Sequence, residues 1–276
     1  MPTFTGSAFS NFYKRILQIN QSSNTGVDTT IRGVQDGDGN PTAIALSDDN
    51  LVVKPQNDNG SSTFWVQNAA GANIFQVDTT NAKILMGASQ TAGNTQYAHF
   101  GISATDTFWS ACAADTHYAV PFNAFGAFPT SAIANIAMGS STSSSFNDTN
   151  PASTLTISNS AMDIVGCYWY VMDNITIDAV KWFHGADAAS GDSTAAHLMA
   201  YTVDTANGST GGDLSSGTVV ADGGTITNAG YEQVYYQSMT IQSADVDAGK
   251  VILFTFAADT VNSDYSINAT VKYHIR

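Results

Sequence analysis

The clearest pattern in the chain lies at its end. Tyr265, Ile267, Ala269, Val271, Tyr273 and Ile275 alternate with Ser266, Asn268, Thr270, Lys272, His274 and Arg276. A period of two predicts an antiparallel strand with one buried face. Upstream, apolar runs at Leu155–Ser158, Gly166–Met172, Ile175–Phe183, Leu198–Val203, Gly217–Val220, Glu232–Ile241 and Val251–Phe256 raise the total to about eight strands from Pro151 to Arg276. That density predicts a β-sandwich of jelly-roll type over residues 151–276.

The first half reads differently. Leu51–Lys54, Thr63–Gln67, Ile74–Val77 and Lys83–Met86 are short apolar runs, each set off by an Asn-, Asp- or Gly-rich turn cluster. They predict small strands in a meander or in a prism to which each of several chains contributes one face. Residues 20–60 hold few large apolar side chains, too few for a core of their own, so this region is expected to pack on copies of itself or on a partner. Between them, residues 91–150 form an aromatic-rich intermediate region, with Tyr97, Phe100, Phe108, Trp109, Tyr118, Phe122, Phe125 and Phe128 among small residues. A serine-rich stretch from Gly139 to Ser145 reads as a loop or hinge near a boundary.

Composition sharpens the fold class to all-β. Of the 23 acidic residues all but Glu232 are Asp, and Lys plus Arg number 9. Exposed helix faces are filled by Glu, Lys and Arg, whereas Asp, Asn, Ser, Thr and Gly favour turns. The net charge of −14 argues against nucleic acid and anionic membrane as partners. Lys14 and Arg15 are the only charged side chains of the first 27 residues, so that segment is basic against an acidic remainder. Either it docks on an acidic partner or these are two ordinary solvated charges. No apolar run suits a signal peptide or a membrane span, and a protein assembled in a cytoplasm is expected.

The stretch Leu51-Val52-Val53-Lys54-Pro55, then Thr63-Phe64-Trp65-Val66-Gln67-Asn68-Ala69-Ala70-Gly71, then Phe75-Gln76-Val77-Asp78-Thr79-Thr80-Asn81-Ala82-Lys83-Ile84, resembles fibre and head-decoration proteins of tailed bacteriophages, marine ones especially. Phe12, Tyr13, Lys14, Arg15, Ile16 and Leu17 are similar to the virion-anchoring N-termini of that family. The resemblance covers roughly the first third of the chain. It implies an anchoring arm over residues 1–30, a fibre-like β region over 31–90, and a homotrimer on a virion surface. Its other partners would be virion proteins such as a major capsid protein or a tail adaptor.

Catalytic motifs are sparse. Asp36-Gly37-Asp38-Gly39-Asn40 starts like a calcium loop, but Pro41 and Ser47 stand where a glycine and a bidentate acid belong, so an Asp-Gly turn is the expectation. The five histidines, 99, 117, 184, 197 and 274, show no metal-ligand spacing, and neither metal nor cofactor is expected. Cys112 and Cys167 read as buried small hydrophobes, although Cys112 with Asp115 and His117 could form a thiol site. Asp163, Asp173 and Asp178 flank an aromatic strand and are where glycoside cleavage would be sought, against a plainer reading as turn aspartates. The expectation is a chain that is not an enzyme.

The aromatic clusters remain. Tyr168, Trp169, Tyr170, Trp182, Tyr235 and Tyr236 are candidates for contact with a glycan or a second subunit. In a strand neighbouring rings point to opposite faces, so one member of each adjacent pair must leave the core. With the resemblance, two roles are implied: a structural capsid decoration or short head fibre, and alternatively a receptor-binding tail fibre whose sandwich binds host glycan.

Overall fold

The computed structural model describes residues 16–22, 26–87, 91–104, 112–123, 137–140, 151–157, 164–260 and 264–276. Among them every regular element is a strand, apart from a 3-10 turn at Val165–Cys167. The chain divides into two units, Met1–Gly93 and Asn94–Arg276.

The first unit holds two antiparallel meanders. One joins β1 (Gln18–Ile19), β2 (Arg32–Gln35), β3 (Pro41–Leu46) and β4 (Leu51–Val53), and the other β5 (Phe64–Gln67), β6 (Asn73–Asp78), β7 (Lys83–Met86) and β8 (Thr91–Ala92), each in chain order. Their turns are wired locally. The Asp36 carboxylate accepts the backbone N–H groups of Asp38 and Asn40 and the Asn40 carboxamide. Asn68 Oδ1 accepts the N–H groups of Ala70 and Ala72, and Asp78 accepts from Thr80 and Asn81 in the same way. Side-chain acceptors of this kind fix a turn without tertiary help. Gly39 and Gly71 complete two of these turns at φ +87° and +83°, where a side chain would be strained. The calcium-like sequence at Asp36 is thus an ordinary hairpin turn whose carboxylate is already satisfied.

The second unit contains β9 (Thr95–Ala104), β10 (Thr116–Val120), β11 (Ala137–Ser140), β12 (Trp169–Tyr170), β13 (Ile175–Asp187), β14 (Ser193–Val203), β15 (Leu214–Thr227), β16 (Gln233–Ser238), β17 (Thr240–Ile241), β18 (Asp245–Val246), β19 (Lys250–Ala258) and β20 (Asp264–Ile275). One sheet runs β16-β13-β20-β9, with β18 on β13; the other runs β11-β10-β19-β14-β15-β17, with β12 on β19. Among the principal strands, β9 pairs with β20, β10 with β19, β13 with β16 and β14 with β15. The first strand thus meets the last, the second meets the last but one, and so inward. This is the rolled-up hairpin of a jelly roll.

Phe100, Ile177, Val180, Trp182, Leu198, Phe254, Phe256 and Val271 lie in the core that joins the two sheets. A second core lies on the far side of the β14–β19 sheet, where Met199, Tyr201, Leu214, Val251 and Leu253 meet Met138, Ile157, Ile164 and Cys167. Burial on both faces explains why β19 from Val251 to Ala258 is apolar but for Thr255, while β20, solvated on one face, alternates.

The sandwich therefore takes in β9 and β10 and begins at Asn94, well before Pro151. In β9 the inward residues Ala98, Phe100 and Ile102 are interleaved with Tyr97, His99 and Gly101, and small or aromatic residues on both faces blur the period of two. Gly139 and Ser140 end a strand, and residues 141–150 lie outside the described residues. Leu155 makes only an isolated bridge to Leu214.

Candidate binding surfaces

The adjacent aromatics separate as strand geometry demands. Trp169 turns inward and stacks on Phe122 with centroids 5.9 Å apart, while Tyr170 turns out and is 48% exposed. Tyr235 stacks on His184 in the interior, while Tyr236 turns out against Phe183, ring centroids 4.9 Å apart. Trp182 is wholly buried among Phe254, Phe256 and His184. Trp182 is a core residue, out of reach of a ligand or a second subunit, whereas Trp169 is packed in the core but borders a cavity. Tyr168 is half-buried, and its hydroxyl donates to the Gly212 carbonyl at 2.7 Å.

Two cavities flank Tyr170. One, of about 170 Å³, is lined by Trp169, Met172, Asp173, Tyr273 and Ile275, and the other, of about 420 Å³, by Tyr168, Val203 and the loop from Asp204 to Gly212. That loop joins β14 to β15 and is internally braced. Asp204 N–H donates to Asp213, Gly212 N–H to Asp204, and Asp213 N–H to Thr210, while the Asp204 carboxylate accepts from Ala206. Composition shows a turn here but no cavity wall, because the wall forms only when Tyr168 reaches Gly212.

The first unit offers a surface of another kind. Phe64 pairs with Val77 and Val66 with Phe75; Phe75 in turn pairs with Met86 and Val77 with Ile84. Pairing places all six on one face, an unbroken apolar patch across β5, β6 and β7. Phe64, Val66, Ile84 and Met86 are each more than two-fifths exposed. The buried side chains described in this unit, Ser47, Gln76 and Asp78, are all polar. Of the proposed anchoring residues, Phe12, Tyr13, Lys14 and Arg15 lie outside the described residues; Ile16 is half-buried and Leu17 exposed.

Two of the histidines meet in space though not in sequence. His117 and His197 have ring centroids 5.0 Å apart, Thr255 Oγ1 lies 3.4 Å from His117 Nδ1, and His197 Nε2 lies 3.6 Å from Asp222. Burial lowers the His197 pKa against the opposing pull of Asp222, and burial brings His184 down to about 4. Among the described residues no three His, Cys, Asp or Glu side chains are placed to hold a metal ion. Cys112 and Cys167 are buried, and desolvation pushes both thiols up to about 12, so neither is a ready nucleophile. Asp178 is engaged with His274 at 3.0 Å, Asp173 lines the smaller cavity, and Asp163 lies outside the described residues. No family model matches the chain, and no curated protein matches it.

Proposed function

We propose that this chain is a non-catalytic structural protein of a virion surface, a capsid decoration or short head fibre, that forms a homotrimer through its first unit and displays the jelly roll. The observation that carries the reading is the six-residue apolar face of β5, β6 and β7 in a unit with no buried apolar side chain described. A single sheet layer cannot hide such a face from water, and a second layer is needed to cover it. Copies of the same chain supply one with matching chemistry and symmetry. Covering the face would contribute on the order of 5 kcal/mol per protomer. The threefold order, the virion and the anchoring role of residues 12–17 rest on the resemblance of residues 12–21 and 51–84 to phage fibre and decoration proteins.

Light scattering tests this directly. The full-length protein is expected at three times the chain mass, and residues 94–276, which carry both cores, at the mass of one chain. A monomeric full-length protein overturns the reading.

A further inference from the structure

We propose that the paired cavities around Tyr170 bind a neutral oligosaccharide. Tyr170 ends β12 and lines both cavities, so a ligand that fills both would pass Tyr170. That favours an extended chain over a compact molecule. The larger cavity, about 420 Å³, is within the range of roughly 300–1,000 Å³ typical of small-molecule sites.

The two sides of the site differ in chemistry. Val165, Tyr170 and Met172 form an exposed apolar side, suited to the C–H face of a pyranose. Thr205 and Asn207 on the opposite loop, with Asp173 in the smaller cavity, offer hydrogen-bonding groups for hydroxyls. The Asp204 carboxylate is spent on its own loop, where hydrogen bonds from Ala206 and Thr210 hold it below the usual carboxylate range. The loop is thus fixed before any ligand arrives, which lowers the entropy cost of binding.

Charge selects the sugar class. Neither cavity is lined by Lys or Arg, and the chain carries −14, so uronates, sialylated glycans and phosphorylated saccharides would be repelled. The Phe183–Tyr236 patch is different: its rings lie on the sheet's outer face, and neither residue lines the cavities at Tyr170. The proposal uses residues of the second unit alone and stands apart from the trimer reading.

The test titrates full-length protein with tetra- to hexasaccharides of the malto-, cello-, manno- and galacto- series and with an alginate oligosaccharide. Binding is followed by calorimetry, with mass followed by light scattering. At least one neutral series is expected to bind, Tyr170→Ala to weaken it at least about tenfold, and Asn207→Ala to weaken it severalfold. Tyr236→Ala is expected to leave it unchanged, and mass should stay constant throughout. Because Asn207 is on an exposed loop, its variant keeps the test open should Tyr170→Ala misfold. No binding of any neutral series at about 20 mM, undiminished binding in both Tyr170→Ala and Asn207→Ala, or preference for alginate overturns the proposal. A monomeric mass with sugar binding intact would strike the assembly reading alone.

Discussion

The two units are made from the same material, antiparallel strands joined by Asp-, Asn- and Gly-rich turns, yet they use it in opposite ways. In the jelly roll, two sheets face each other and one is covered again behind, so Trp182, Phe254, Phe256 and Tyr201 are wholly buried. In the first unit the strands carry Phe64, Val66, Phe75, Val77, Ile84 and Met86 on one face, with nothing in the described structure to bury them fully. Strand ladders, local turn chemistry and a few polar side-chain bonds such as Thr63–Thr79 hold register there, whereas apolar packing between layers adds to the ladders in the sandwich. The difference teaches that alternation creates a face, while only a second layer turns a face into a core.

The largest expected effect tests the core. Trp182→Ala removes a ring at the centre of the sandwich and should cost about 3–5 kcal/mol in urea unfolding. Trp65→Ala, on an exposed strand, should cost less than about 1 kcal/mol to the fold of the protomer. Equal losses would erase the contrast between the units.

Acid should separate them next. Burial keeps His184 neutral down to about pH 4, whereas an unburied imidazole titrates near 6.5. Between those values the unfolded chain binds more protons than the folded one. Stability from this group is therefore full above pH 6.5 and is lost as pH falls to about 4, a loss of roughly 3 kcal/mol. His197 shifts in the same direction. All five histidines belong to the second unit. In the first, the lowered carboxylates of Asp28, Asp36 and Asp78 contribute above their ordinary pKa near 3.8 and lose that contribution only below it. Hydrogen exchange at pH 7 and pH 4.5 should show faster opening of the sandwich at the lower pH and little change in the turns of the meanders. Equal acceleration in both would refute this account.

A smaller effect probes the apolar face. Phe75→Asp should weaken association by about 2 kcal/mol per protomer, read as a concentration-dependent fall in mass, while the unfolding midpoint of residues 94–276 stays where it was. The smallest pair contrasts two glycines. A Cβ at Gly217 would meet the Tyr201 ring and Ser153 Cα, at 2.9 Å for the latter, whereas one at Gly33 would meet nothing within 4 Å. Gly217→Ala should cost about 1–3 kcal/mol, and Gly33→Ala should stay within about 0.5 kcal/mol of neutral.

Much of the architecture was legible from local pattern. The strand beginning at Tyr265, the runs at Phe64, Ile74 and Lys83, and the lack of an α-helical element among the described residues all follow from period, turn residues and the near absence of Glu. β9 was not legible, because Ala98 and Gly101 weaken its alternation, and neither was the partnership of the first strand with the last. Of the candidate aromatics, Tyr170 and Tyr236 are on the surface, and nothing local distinguishes them from Trp169 and Tyr235. The wall of the Tyr170 cleft likewise depends on a contact between residues 168 and 212.

The sequence by itself determined that this is an all-β chain, where its turns fall, and that each adjacent aromatic pair must be split between two faces. These are local consequences of side-chain geometry and backbone preference. Only the tertiary structure decided which face is inside, where the sandwich begins, and that His117 and His197 come together. Pairing between distant strands is set by the burial it achieves, and burial is a property of the assembled layers, not of any single segment.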